Sequence, residues 1–353
     1  MREPSPTVSV VLPVRDGAAV LARAVASLRA QTWFDWEIIL VDDGSVDATP
    51  GLLAEIAREE PRVRALTRPR EGLVAALNAG LAAARGEFVA RMDADDEAHP
   101  ERLAEQVAFL RAAENREIGL VGCLVDFGGD RAASEGYALH VDWINSLTTP
   151  AEIALNRFVE SPLAHPSVMF RRELLEKFGG YRAGDFPEDY ELWLRWLDAG
   201  VRMAKVPRSL LTWHDRAGRL SRSDARYGPE KFFRVKAEWV ARELSRLGIC
   251  HERADGGIER PLYVWGAGRP ARKRAAHLVA HGVKIAGYVD IDIKKTGRGL
   301  GGTGVPVLTG ATLPPPGEAF VLGYVAKRGA RENIRGDLNA IGYVEGRDFL
   351  MCA

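Results

Sequence analysis

With 353 residues the chain is long enough for two ordinary domains, each burying its own core. Lys plus Arg and Asp plus Glu balance at 48 each, which excludes a polyelectrolyte attraction to nucleic acid and leaves none as an expected partner. Hydrophobic residues make up 46% and charged residues 27%, and no run approaches the ~20 apolar residues that cross a bilayer. The start, Met1-Arg2-Glu3-Pro4, lacks a signal-peptide pattern. Cys123, Cys250 and Cys352 are scattered and odd in number, which argues for reduced thiols in the cytoplasm and against a disulfide framework or zinc site.

Taken in chain order, Val8–Val14 and Glu37–Val41 read as buried strands, rich in Val and Ile and bounded by turn residues. Between them Leu21, Val25 and Leu28 fall at helical spacing. Thr49-Pro50 reads as an N-cap and first helical residue. A strand at Val63–Leu66, a helix around Gly72–Ala84 and a strand at Glu87–Arg91 follow, the last running into Asp93-Ala94-Asp95-Asp96. Pro100 opens another helix, with Leu103, Val107 and Leu110 on one face. Such alternation predicts an α/β fold with a doubly wound, mostly parallel sheet, in which ligands gather at the carboxyl ends of the strands. Asp42-Asp43 and Asp93 to Asp96 both follow strands directly, so they should converge on one crevice.

The stretch from about 130 to 225 is irregular and reads as the acceptor-side completion of a first domain, residues 1–228. An amphipathic helix, Pro229–Leu247, and the Gly- and charge-rich stretch Gly248–Glu259 then form a connector, residues 229–259. Beyond it come a strand at Leu262–Trp265, the turn Gly266-Ala267-Gly268, a helix from Pro270, and strands at Val283–Val289 and Phe320–Val325. Residues 260–353 therefore form a second, smaller α/β domain.

Asp93-Ala94-Asp95 carries the first chemical signal. Neighbouring carboxylates repel, and a divalent cation is the partner that keeps them ionised together. Magnesium or manganese is held through one or two carboxylates plus phosphate oxygens, which suits a nucleoside diphosphate. The bland alternative is a solvated acidic turn capping the helix that Pro100 starts.

The ordered motifs VSVVLPVRDG, SLRAQT, EIILVDDGSVD and GLVAALNAGLAAARGEFVARMDADDEAHPERL resemble glycosyltransferase family 2, of the GT-A fold, and the resemblance extends over residues 7–225. It implies a nucleotide-sugar donor (a UDP-sugar first), a divalent metal, manganese or magnesium, and inverting transfer to a hydroxyl on a saccharide, glycolipid or other acceptor. Surface polysaccharide or glycolipid synthesis is the setting it suggests. Position by position, it puts Pro13 and Arg15 in the nucleoside pocket, Asp43 on the base, Asp93 on ribose or metal and Asp95 on the metal, with Asp96 behind them. Asn78 falls on the donor side, in Ala76-Leu77-Asn78, where many members carry Ala-Arg-Asn; the missing Arg leaves donor identity open.

In Pro187-Glu188-Asp189-Tyr190 the resemblance makes Asp189 the catalytic base and Glu188 its tuning neighbour. The chemistry is consistent, because an attacking alcohol must lose its proton as the glycosidic bond forms. The alternative is an acid pair that only charges a helix N-terminus. His165, in Ser161–Ser167, is placed facing the acceptor, or else bonded to neighbouring backbone. Trp213-His214-Asp215-Arg216 and Arg219 to Arg222 match the loop that closes over the diphosphate: Trp213 on the acceptor, His214 on the metal, Arg219 and Arg222 on phosphate. Here His precedes Arg, the reverse of the common order, which weakens the case for His214. A solvated basic loop, suited to an anionic membrane surface at the inner face, is the competing reading.

The tail, with Gly266, Gly268 and Asp290 in strand–turn–helix–strand context, resembles Rossmann-like nucleotide-binding domains appended to some glycosyltransferases. The alternative is a degenerate module serving docking, homodimerisation or stability. Rival functions are a nucleotidyltransferase, a nucleotide-sugar-binding protein without catalysis, and an oxidoreductase. The first lacks its Gly-rich loop after Val8–Val14, and the last lacks a proton-donor set in the tail.

Overall fold

A computed structural model describes residues 5–216, 218, 219, 222, 224–250, 259–296 and 305–353. The chain divides into two compact units, Met1–Ala154 with Pro162–Asp224, and Leu155–Ser161 with Ala225–Ala353. Most of the expected connector Gly248–Glu259 lies outside the described residues.

The first unit is built on β1 (Val8–Val14), β2 (Trp36–Asp43), β3 (Val63–Arg68), β4 (Phe88–Arg91), β5 (Glu97–Ala98), β6 (Ile118–Gly128), β7 (Met169–Arg171) and β8 (Arg202–His214), in the sheet order β3-β2-β1-β4-β7-β6-β8-β5. The pairs β3–β2, β2–β1, β1–β4 and β6–β8 are parallel, whereas β7 and β5 pair antiparallel with their neighbours. Its helices are α1 (Ala18–Arg29), α2 (Thr49–Glu59), α3 (Leu73–Ala83), α4 (Arg102–Arg111), α5 (Glu135–Asn145), α6 (Pro150–Asn156), which ends in the second unit, α7 (Glu173–Phe178) and α8 (Glu188–Asp198).

Strand β1 is buried at every position because both faces of the sheet are covered. Val8, Val10, Leu12 and Val14 enter the core shared with Leu21, Val25 and Leu28 of α1 and with Leu103 and Val107 of α4. Val11 points the other way, into the core formed with Ala76 and Leu77 of α3 and with Trp193 and Trp196 of α8. Gly80 lets α3 lie close on the sheet; a Cβ there would clash with Val11. Pro13 costs β1 nothing on its β4 side, since pairing with β4 stops at Val11.

The region expected to be irregular contributes β7 and β8, with β6 just before it. In β8 the register against β6 jumps between Val206 and Ser209, so Pro207 and Arg208 sit in a bulge where no ladder donor is needed.

The second unit carries α9 (Pro229–Arg246), β9 (Leu262–Trp265), α10 (Arg269–Ala280), β10 (Ile285–Val289), β11 (Val307–Leu308), β12 (Phe320–Gly323), α11 (Ala330–Ala340) and β13 (Phe349–Met351). All its strands are parallel, in the order β11-β10-β9-β12-β13. Cys123, Cys250 and Cys352 are free thiols. Among the described residues no helix is long and apolar enough to cross a membrane.

Candidate active site

Strand register gathers the predicted residues. In the parallel block the carboxyl ends of β1, β2 and β4 share one edge and carry Pro13 and Arg15, Asp42 and Asp43, and Arg91 with Asp93. Because β7 runs antiparallel, with Met169 opposite Ala90, the turn His165–Ser167 that precedes it lies at that same edge. The end of β8, Thr212 to His214, pairs with Asp126 to Gly128 at the end of β6, and Thr212 also pairs with Glu97 of β5.

At this edge Asp93, Asp95 and Asp96 each offer a carboxylate oxygen, all within 4.8 Å of one another. Asp96 is buried; one oxygen accepts the backbone N–H of His214 at 2.8 Å, and Oδ2 has no hydrogen-bond partner among the described residues. Burial, then the Asp93 charge, raises Asp95 and pushes Asp96 well up. An orphaned buried oxygen and three hard, mutually repelling donors fit magnesium or manganese.

Two cations flank the trio, Arg91 buried and Arg219 half-buried. Arg91 ion-pairs with Asp93 and is 3% exposed. Arg219 stacks over the rings of Trp213 at 4.7 Å and Tyr137 at 5.1 Å, and donates to the His214 carbonyl at 2.9 Å. From there its charge draws on Asp96, Asp93 and Asp95.

Glu188 and Asp189 open α8, Glu188 buried and Asp189 half-buried. Burial, then the Glu188 charge, pushes the Asp189 carboxyl up to about 7, while the Arg91 charge pulls it down. Tyr181 feels Arg91, Glu188, Asp189 and Asp93 together, which places the α8 acids and the strand-end acids around one spot. A carboxyl titrating near neutrality beside three clustered carboxylates can take a proton from an incoming hydroxyl.

Other predicted residues are engaged elsewhere. Asp43 accepts the N–H groups of Glu71 and Gly72, each at 2.9 Å, with Arg15 at 3.9 Å from its other oxygen. The side chain of Asn78 is bonded to both backbone groups of Tyr181, at 2.9 and 3.0 Å, so it ties α3 to the loop before α8. His165, expected to face an acceptor, is instead buried against Trp193, its Nε2 2.6 Å from the Tyr181 hydroxyl; burial lowers its pKa well below the usual range. His214, expected on the metal, turns Nε2 to Glu97 at 2.7 Å, and the three-acid group does not include it. Trp213 is buried beneath Arg219, and Arg222 pairs with Asp215 at 2.6 Å; Leu220 and Ser221 lie outside the described residues.

In the second unit, Asp290 fastens the Gly-rich turn to the end of β10. Its carboxylate accepts the Ala267 N–H at 3.1 Å and the Lys295 ammonium at 3.0 Å on one oxygen, and the Asp292 N–H at 3.0 Å on the other. Gly266, at φ 123°, makes the turn, and Gly268 is the N-cap of α10.

Arg91 and Tyr137 escape a motif search. Arg91 left one trace, being a charged residue at the end of an otherwise apolar strand, two positions before Asp93. Tyr137 left none, because it reaches Trp213 only through the fold.

Residues 9–179 match the family described as Glycosyl transferase family 2. EpsE of Bacillus subtilis (strain 168), a glycosyltransferase by name, is 31% identical over 58% of this chain and 72% of EpsE. The succinoglycan biosynthesis protein ExoO of Rhizobium meliloti (strain 1021) is 33% identical over 62% of this chain, and the match spans less than two thirds of ExoO, 63%. S. aureus TarS 1-349, solved in complex with UDP-GlcNAc, shares the fold with a TM-score of 0.53 at 21% identity, over 67% of this chain and 66% of that one. On the strength of the 31% identity to EpsE over most of that relative, the chain belongs to glycosyl transferase family 2.

Proposed function

We propose that this protein is an inverting glycosyltransferase that moves a sugar from a nucleotide-sugar, a UDP-sugar first, to a hydroxyl acceptor in surface polysaccharide or glycolipid synthesis. The observation that carries the reading is the meeting, around Arg91 and Tyr181, of the Asp93, Asp95 and Asp96 trio with Asp189. The names of ExoO, in succinoglycan biosynthesis, and of TarS, bound to UDP-GlcNAc, support the setting and the donor class.

In this reading Asp93, Asp95 and Asp96 hold manganese or magnesium, which when bound supplies positive charge to the departing diphosphate. Arg219 adds a guanidinium for phosphate oxygens, and Arg15 with the loop held by Asp43 lines the nucleoside side. Asp189 takes the acceptor's proton. One base suffices for single displacement, because the diphosphate is already a good leaving group; a retaining reaction needs a carboxylate nucleophile as well. The second unit, with β9 central and strands added on either side, reads as a Rossmann-like accessory domain.

A thermal-shift panel of sugar nucleotides with manganese, followed by hydrolysis of the hits, tests the reading. Manganese-dependent release of nucleoside diphosphate is the expected result, and its absence across the panel would remove the proposal. Anomeric proton couplings of the product decide inversion.

A further inference from the structure

Charge is uneven along the chain. Residues 225–353 carry 21 Lys and Arg against 13 Asp and Glu, whereas residues 1–224 carry 27 against 35. Topology gathers part of the basic excess in the C-terminal unit. Strand register sets Val289, Trp265 and Gly323 side by side at the carboxyl ends of β10, β9 and β12. The segments that leave those strands, 266–269, 290–295 and 324–329, carry five cations, Arg269, Lys294, Lys295, Lys327 and Arg328, against two acids. All five cations are exposed. The two acids, Asp290 and Asp292, share Lys295 at 3.0 and 3.8 Å. At the amino edge the balance is different: Arg260 and Arg347, which precede β9 and β13, are both matched by Asp348, at 2.9 and 2.7 Å.

Two observations choose the partner of this carboxyl edge. Ile291, set between the two acids and followed by Lys294 and Lys295, is 80% exposed, and no large apolar side chain among the described residues of the unit is more so. An isoleucine in water beside lysines fits a lipid surface, where the apolar group enters the headgroup layer and the cations meet anionic lipid. A soluble phosphate is opposed at the Gly-rich turn, because the Ala267 N–H already donates to Asp290 at 3.1 Å and that carboxylate repels a second anion. We propose that the carboxyl edge of the C-terminal sheet is a docking face for an anionic bilayer, with Ile291 entering the headgroup layer and Arg269, Lys294, Lys327 and Arg328 against the lipid charge. Docked there, the chain meets acceptors carried on lipid.

Sedimentation of the full chain with vesicles tests this, using phosphatidylcholine alone and phosphatidylcholine mixed with phosphatidylglycerol. Binding should require the anionic lipid and fall away in high salt. Lys294→Gln combined with Lys327→Gln should weaken it by about fivefold for each charge removed, and Ile291→Ser by about tenfold. Melting temperatures show that each variant is folded, since exposed substitutions leave them near wild type. Equal binding to the two kinds of vesicle overturns the proposal, as does wild-type binding by the double lysine variant. Wild-type binding by Ile291→Ser together with displacement by inorganic phosphate also overturns it, and makes the edge a phosphate site instead. Vesicle binding involves neither donor nor metal, so its failure leaves the transferase reading standing. A chain that binds anionic vesicles but turns over no sugar nucleotide removes that reading and leaves the docking face in place.

Discussion

Lys236 donates its ammonium to the backbone carbonyl of Cys352, 116 residues further along the chain, at 2.8 Å. The same group donates to Phe158 at 2.7 Å and Val159 at 3.0 Å, so one buried side chain of α9 fastens both the segment 155–161 and the last strand's exit in the C-terminal unit. Replacing it by Met leaves three carbonyls short of a donor and should cost ~2–4 kcal/mol of unfolding free energy. Burial pulls the Lys236 pKa down to about 7, below its unfolded value of 10.5. Between those values the unfolded chain binds the extra proton, so this group's contribution to stability rises with pH. Urea unfolding at two pH values, one near 7 and one near 9.5, should show the gap between wild type and Lys236→Met widening at the higher pH. A gap that narrows counts against it.

Removing everything after Glu259 takes away Cys352 and the sheet of the C-terminal unit, to which Leu155–Ser161 belong. The truncated chain should therefore melt below the full chain, in calorimetry at one protein concentration. Equal melting temperatures would mean that 155–161 is held by something else.

Asp95→Ala should abolish cation-dependent binding of a nucleoside diphosphate, a loss of about 100-fold or more. Asp96→Asn should weaken it too, since the buried Oδ2, unpartnered among the described residues, is the atom a cation would satisfy. Manganese titration by electron paramagnetic resonance reads both variants, and unchanged affinity in Asp95→Ala would remove the trio from the donor site.

Asp189 protonates near pH 7, pushed up by burial and by Glu188. Below that pH it holds a proton and cannot accept another, so kcat/KM should climb tenfold per pH unit and level off above about 7. Asp189→Asn should keep donor binding within a few-fold and drop transfer by ~10³-fold or more. An Asn variant with wild-type turnover rules Asp189 out as the base.

Arg219→Ala removes a guanidinium stacked on Trp213 and Tyr137 and drawn to the acid trio. Binding of UDP should weaken by about tenfold, while binding of uridine, which has no phosphate, should not change. Equal effects on the two ligands would mean that Arg219 acts through the fold and not through phosphate.

The apolar runs at Val8–Val14, Glu37–Val41 and Glu87–Arg91 were legible as strands, within one or two residues of their ends, because strand and helix periods are local properties of the chain. The acids that follow those strands were legible for the same reason, together with the rule that carboxyl ends of parallel strands share an edge. Strand β8 was not, since Pro207 and Arg208 break its alternation and only pairing with β6 shows that they bulge. Asn78 on Tyr181 and His165 under Trp193 were likewise invisible, for each joins segments far apart in sequence. Sequence by itself determined the family, the sheet and the acids at its edge. Tertiary structure alone decided which of those acids come together, three of them within 4.8 Å of one another, because such distances are set only by strand register and helix packing.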